Sequence, residues 1–256
     1  MSDELSLEGR TVLITGAASG LGLAFARGFL GDGAQVAALD IDSVDHLADE
    51  GALPFVADVS DNSQVVSAID QVVRSTGRLD VLIANAGIAG TEQRIVDGEV
   101  QFRKWKVAEL PDGAFERTMA VNAFGTLHAI RASLPHMRRV GQGRIITLLS
   151  RAAELPAFEG VAYGASKAAQ WAITMATAAE VAAEDILVNG LIPGPTNTGI
   201  AGREMPHLQP PEAVYPAARR LATLPTGGPN GRVFLKLDEY PMFRHEKKAS
   251  GSPTAG

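Results

Sequence analysis

This sequence predicts a single α/β domain, a doubly wound parallel sheet of about seven strands with helices on both faces. Three observations carry that expectation. Short apolar runs recur along the chain and alternate with helical stretches, the pattern of successive βαβ units. The first run, Thr11–Thr15, passes straight into a glycine-rich turn and then a helix. At 256 residues, 46% of them hydrophobic, the chain suits one domain with a sizeable core.

Composition excludes several classes. A formal charge of −6 without a basic stripe gives no electrostatic case for nucleic acid. The absence of cysteine removes disulfides, thiol catalysis and Cys-based metal sites. None of the five histidines falls in a zinc-site pattern, so no catalytic metal is expected. The start, Met-Ser-Asp-Glu-Leu-Ser-Leu-Glu, lacks a basic region followed by an apolar one. The longest uncharged stretch, within 168–180, is too short to span a bilayer. A cytoplasmic protein with no membrane partner is the expectation.

Taken in order, Thr11–Thr15 is a short apolar strand that runs into Gly16-Ala-Ala-Ser-Gly20-Leu-Gly22. A helix from Leu21 to about Leu30 follows, ending at Gly31 and Gly33 as C-cap chemistry predicts. Strand, glycine turn and helix together aim bare N–H groups and a positive helix end at a phosphate. Gly16 would allow the tight turn, and Gly20 and Gly22 the approach of a pyrophosphate. The next strand, Gln35–Asp40, ends in a carboxylate about 20 residues beyond the glycines, suited to the ribose hydroxyls of NAD and repellent to a 2′-phosphate. Neither Ser19 nor Ile41 offers a cation that would rescue NADP.

The third strand, Pro54–Ala57, leads to Asp58 and Val59, placed to cover an adenine ring, with Ser60 or Asp61 as the cap of a helix running to about Thr76. Strand four, Leu79–Ala84, ends at Asn85-Ala86-Gly87, on the carboxyl edge where ligands of such sheets bind. Thr91 to Pro111 is polar and weakly periodic, a long excursion with one short helix. From Asp112 an apolar-rich helix runs to about Arg139 and carries Asn122. A buried asparagine there needs hydrogen-bonding partners.

The strand Arg144–Leu149 closes on Ser150, and Tyr163 and Lys167 then share one face of an alanine-rich helix. An ammonium beside a phenol stabilises phenolate and pulls the tyrosine below its ordinary pKa of roughly 10. A serine hydroxyl opposite could hold the same substrate oxygen. Alone, Tyr-x-x-x-Lys is an ordinary helix pair; its company gives it weight.

Thr15-Gly16-x-x-x-Gly20-x-Gly22, Asn85-Ala86-Gly87, Asn122, and Ser150 with Tyr163-x-x-x-Lys167 occur in that order. The set closely resembles the short-chain dehydrogenase/reductase family, in its single-domain branch, over roughly residues 5–200. Pro193-Gly194-x-x-x-Thr198, after a strand over Ile186–Ile192, fits the same pattern. The resemblance implies a Rossmann fold and an NAD-dependent alcohol dehydrogenase or ketone reductase acting on a secondary alcohol or its carbonyl. It implies Tyr163 as general acid/base, Lys167 as the group that lowers its pKa and binds the nicotinamide ribose, Ser150 on the substrate oxygen, and Asn122 holding a relay water. It implies cofactor binding by Gly16, Ser19, Gly20, Leu21, Gly22, Asp40, Asp58, Val59, Asn85, Ala86, Gly87, Pro193, Gly194 and Thr198, besides Tyr163 and Lys167. Alternatives left open are an NADPH-dependent carbonyl or 3-oxoacyl reductase and a non-catalytic NAD-binding regulatory protein.

Departures from the family pattern are Ala84 for the first of two asparagines, Leu149 for the first of two serines, and Asp238-Glu239-Tyr240 for Asp-Gly-Gly after a strand over Arg232–Leu237. The helices at about 113–139 and 160–184 are apolar nearly all round, so both sides should be covered, and the resemblance implies that they form a homodimer or homotetramer interface. The resemblance implies that the stretch from Gly199 to Asn230, with Met205, His207, Leu208 and Tyr215, and the segment Ala152–Phe158 shape a substrate pocket; His207 is expected as a surface residue. Residues 1–244 form the expected catalytic domain, and 245–256 a flexible tail.

Overall fold

The computed structural model describes residues 6–90, 92–96, 99–103, 105–155, 160–200 and 205–243. Among these, the main sheet has eight strands in the order β10-β9-β8-β7-β4-β1-β2-β3. Its parallel members are β1 (Thr11–Thr15), β2 (Gln35–Asp40), β3 (Leu53–Val56), β4 (Val81–Ala84), β7 (Gly143–Leu148), β8 (Ile186–Ile192) and β9 (Val233–Leu235). The eighth, β10 (Asp238–Glu239), folds back antiparallel on β9. The order reverses between β1 and β4, the switch point above which such sheets bind ligands.

Strands β1, β4, β7 and β8 are buried throughout, as expected of strands covered on both faces. One layer packs Phe25 and Phe29 of helix α1 (Gly20–Gly31) with Ala218 and Leu221 of helix α7 (Tyr215–Ala222). The other packs Val65, Ile69 and Val72 of helix α3 (Asn62–Thr76) with Ile130 and Met137 of helix α5 (Gly125–Val140). Asp61 caps α3, its carboxylate accepting from Ser63 N and Gln64 N; the bond it accepts from the Ser63 hydroxyl, with those from Gln64 and Ser63 N, holds its pKa down at about 2. A short helix, α2 (Asp45–Ala48), precedes β3.

At the amino edge of the sheet Arg144 is 1% exposed. Its guanidinium donates to the carbonyls of Leu224, Gly143 and Asp185. Arg144 thus ties the start of β7 to the loops beside it, its Asp185 partner carbonyl also accepting from Gly143 N at 2.8 Å.

Three expectations need correction. The excursion after Thr91 holds an antiparallel pair, β5 (Glu92–Val96) with β6 (Glu99–Arg103), as well as a short 3₁₀ turn over Val107–Glu109. The helix expected from Asp112 is α4 (Ala114–Met119) followed by a π-helical turn, Ala120–Phe124, before α5 begins. Widened turns of this kind concentrate at functional sites. The proline-rich stretch after Gly199 contains helix α7, and Tyr215 lies against Phe29, its hydroxyl donating to Asp32, rather than at a pocket. His207 is exposed. Residues 156–159, 201–204 and the expected tail lie outside the described residues.

Helix α6 (Val161–Glu180) has its polarity inverted. Ser166, Lys167, Gln170 and Thr174 are buried, while Ala172, Ala176 and Ala179 are exposed. The polar residues find partners inward: Gln170 donates to Thr126 Oγ1 at 2.6 Å, and Thr174 shares a 2.8 Å bond with Thr147. No helix among the described residues is long and apolar enough to cross a membrane.

Candidate active site

A groove of about 540 Å³ crosses the carboxyl edge of the sheet at the switch point. One end is walled by Gly16, Ser19, Gly20 and Leu21 of the glycine turn, with Asp40, Ile41, Asp42, Asp58, Val59 and Ser60 beside them. Asn85, Ala86 and Gly87 form the middle, Tyr163, Lys167 and Pro193 stand along the remainder, and Thr198 lies against Gly20, where a Cβ would come 3.0 Å from the Thr198 carbonyl oxygen.

The glycines answer to packing. Gly16 has φ +69°, and a Cβ there would lie 2.8 Å from Ala86 Cα. At Gly22 a Cβ would lie 1.9 Å from the Gly16 carbonyl oxygen. Gly22 therefore lets α1 close onto the turn, and it lies outside the groove lining. The N-cap of α1, Ser19, makes no side-chain capping bond. The first-turn N–H groups of α1 thus lack the usual side-chain acceptor, and the turn opens onto the groove, an arrangement that fits a diphosphate. Asp40 is fixed beside it, its carboxylate accepting from Ala18 N at 2.8 Å and Asp42 N at 3.1 Å. A ribose diol fits that carboxylate, and a 2′-phosphate would meet its charge.

Asn85 ties β4 to β1. Its amide donates to the carbonyls of Thr15 (2.9 Å) and Gly16 (3.0 Å), while Thr15 Oγ1 accepts from Asn85 N and Ala86 N. Asn122, fully buried in the π-helical turn, brackets Ile88: Oδ1 accepts from Ile88 N at 2.8 Å and Nδ2 donates to Ile88 O at 2.9 Å. The same Nδ2 donates to Ser166 Oγ, which in turn donates to Tyr163 O. The Asn122 side chain is spent on this clamp and lies outside the groove lining.

Lys167 is 4% exposed. Its Nζ donates to Leu148 O at 2.7 Å and lies 5.5 Å from the centre of the Tyr163 ring. Burial pushes the amine down to about 7. Ser150 follows the groove-lining Leu148 and Leu149 but is itself outside the lining. Its Oγ is turned to cap a 3₁₀ turn, Arg151–Ala153, accepting from Ala152 N at 3.1 Å. The Ser150 hydroxyl hydrogen is left to donate. Gly194 also lies outside the lining.

Arg117, Ala120, Val121, Ile88 and Ile200 also line the groove, and sequence reasoning passed over them. A signal existed for two: Arg117 and Val121 stand four residues apart, Val121 directly before Asn122.

The family model described as short chain dehydrogenase matches residues 10–209. Among relatives, the 2-(R)-hydroxypropyl-CoM dehydrogenase of Xanthobacter autotrophicus is 36% identical over 199 residues, covering 74% of this chain and 75% of that protein. The 7alpha-hydroxysteroid dehydrogenase of Escherichia coli K12 is 31% identical over 201 residues, 75% of this chain and 73% of its own. A crystal structure of 3-ketoacyl-(acyl-carrier-protein) reductase from Brucella melitensis complexed with NADH superposes with a TM-score of 0.80 at 28% identity, covering 91% of this chain and 98% of that one. Fold, groove and sequence matches agree: the chain belongs to the short-chain dehydrogenase family of oxidoreductases.

Proposed function

We propose that the protein is an NAD-dependent oxidoreductase that interconverts a secondary alcohol and its ketone, with Tyr163 as general acid/base. The supporting observation is one continuous groove that has Asp40 and an uncapped helix start at one end and Tyr163 with Lys167 at the other. Bound there, the nicotinamide dinucleotide supplies the hydride acceptor or donor. Gly20, Leu21 and Ser19 would hold its diphosphate, Asp40 one ribose diol, and Asp58 with Val59 its adenine end. Asn85 to Gly87, Pro193 and Thr198 would border its length.

The chain's own residues handle the proton. Tyr163 Oη takes it from the alcohol, or returns it to the carbonyl oxygen. Ser150 donates its free hydrogen to the same oxygen and stabilises alkoxide character. Lys167 works against its own burial. An amine pushed down to about 7 is held part-neutral at physiological pH, so its ammonium form is favoured when negative charge develops beside it. Charging Lys167 and ionising Tyr163 thus assist each other. Asn122 holds the helix that carries both and fixes the backbone at Ile88.

The exposed Phe124 and Leu127 on one helix and Ala172 and Ala176 on the other support assembly through these faces. The assembly proposed is a homodimer or homotetramer.

Four outcomes are expected. Tyr163→Phe should lower turnover by about 10³-fold, within the range of lost acid–base catalysis, with NADH fluorescence titration unchanged; near-normal turnover would remove Tyr163 from its role. In kcat/KM the wild type should prefer NAD to NADP by about 100-fold, on the order expected of like charges in contact. Asp40→Asn, which retains an acceptor for Ala18 N, should narrow that ratio, and an NADP preference in the wild type would refute the cofactor assignment.

The third concerns pH. With the Lys167 pKa near 7 when folded and 10.5 when unfolded, the unfolded chain binds more protons between those values. Stability of the cofactor-free protein should therefore rise from pH 7 to 10, the burial penalty being complete below 7. Scanning calorimetry should show that rise weakened in Lys167→Met; identical pH profiles would contradict the burial. Finally, light scattering at micromolar concentration should give a dimer or tetramer, and Ala172→Glu should shift it towards monomer. A wild-type monomer would end the claim.

A further inference from the structure

The segment after β9, residues 236–243, departs from the family pattern, and it packs beside the turn that Ser150 opens. After β9 the chain reverses through Lys236, at φ +56°, so that β10 pairs back on Phe234 and Leu235. The reversal delivers Tyr240, whose N–H donates to Val233 O at 2.7 Å. Met242 follows at 2% exposure, in an apolar cluster with Leu149, Ala153, Ile192 and Val233. Phe243, also at positive φ, lays its ring edge-on to Trp171, centroids 4.7 Å apart. A bulky residue in that conformation needs surrounding contacts to hold it.

Those contacts converge on one carboxylate. Glu154 Oε2 accepts from Tyr240 Oη at 2.8 Å, and Oε1 accepts from Phe243 N at 2.5 Å. Both oxygens are thereby used, by donors 86 and 89 residues away. Hydrogen bonds to a carboxylate are the stronger class, and two of them fix its direction.

Glu154 closes the turn that Ser150 opens. Ser150 Oγ and carbonyl take Ala152 N and Ala153 N, and Glu154 N reaches back to Arg151 O at 3.0 Å. Five consecutive residues thus form one hydrogen-bonded unit with a candidate catalytic hydroxyl at one end and the clamped carboxylate at the other. The second anchor, Trp171, lies one turn beyond Lys167 and two beyond Tyr163 on α6. The segment after β9 therefore bridges the turn that carries Ser150 and the helix that carries Tyr163.

We propose that the C-terminal hook, Tyr240 to Phe243, is a positioning device that sets the Ser150 hydroxyl against Tyr163 by gripping Glu154. Glu154 and Tyr240 are positioning residues, acting through Ser150 and touching neither substrate nor cofactor. The proposal rests on the reading of Ser150 as the substrate-oxygen contact.

The test uses the full chain with NAD and the alcohol that gives most NADH in a 340 nm screen. Glu154→Ala, Tyr240→Phe, Ser150→Ala and the double variant Ser150→Ala/Glu154→Ala are compared, with Glu154→Gln as the conservative replacement that leaves shape and one acceptor. Glu154→Ala and Tyr240→Phe should each lower kcat by about 10- to 100-fold, the scale of a 1 Å misplacement, with the NADH Kd unchanged within about twofold. Glu154→Gln should recover part of the loss. In the Ser150→Ala background Glu154→Ala should cost nothing further, since a residue that works through Ser150 has nothing left to position.

Wild-type kcat in Glu154→Ala and Tyr240→Phe overturns the hook while leaving the functional reading intact. So does a loss that multiplies with that of Ser150→Ala, the signature of a general structural effect. Wild-type turnover in Ser150→Ala itself overturns both the role of Ser150 and the hook that rests on it.

Discussion

The hydrogen bond from Lys167 Nζ to Leu148 O is the constraint from which the rest of the molecule can be read. An amine at 4% exposure is costly to charge and costly to leave unbonded. The second cost is met by Leu148 O, and only if α6 lies close against the carboxyl end of β7. That placement explains why α6 is polar on its inner face. Ser166, Gln170 and Thr174 follow Lys167's face at helical spacing and meet Asn122, Thr126 and Thr147. A hydrogen-bonded polar seam fixes one rotation of the helix, whereas an apolar seam would tolerate several. Tyr163 takes its direction from that rotation. The outward alanines follow from the same arrangement, since the face turned from the polar seam is the one left for small apolar residues.

Charge along the groove is arranged to match. Asp40, Asp42 and Asp58 stand at one end, and among the described lining residues the cations are Lys167 and Arg117. A ligand with hydroxyls at one end and developing negative charge at the other fits that gradient. Reversed in the groove, the same ligand would bring its negative charge to three carboxylates and leave Lys167 with its desolvation uncompensated.

Much of this was legible because the signals are local. A buried parallel strand is a continuous apolar run, and Thr11–Thr15 and Ile186–Ile192 announce themselves. The glycine turn is legible for a similar reason, since a 1.9 Å approach at Gly22 tolerates no other residue. The pair β5 and β6 also had a signal, Asp97-Gly98 followed by the alternating Glu99–Arg103, but the polar start of the first strand hid it among the loops. Helix α7 was masked by the prolines around it, although Ala217-Ala-Arg-Arg-Leu-Ala222 is made of good helix formers. The direction of Ser150 Oγ was not legible at all. It depends on an N–H two residues on, and that turn is held by a segment 86 residues distant.

The residues that mark the family also share a mechanical task, and the physics of strand ends explains why. Where a parallel strand stops, its ladder stops, and the carbonyls and N–H groups just beyond have no neighbouring strand to meet. At this edge side chains take over. Asp40 holds Ala18 N, Asn85 holds Thr15 and Gly16, Asn122 holds both backbone groups of Ile88, and Gln209 donates to the carbonyl of Pro193. Each bond joins one loop of the groove to its neighbour, so the walls are stitched to one another as well as to the sheet. Such a groove can accept a long flexible dinucleotide without first ordering itself, and the entropy of assembling the site is met during folding instead of during binding. Asparagine and aspartate suit both duties because their short side chains reach backbone groups that longer ones overshoot. A motif residue at this edge can therefore carry a task in the fold itself, as Gly22 and the Asn122 amide do here.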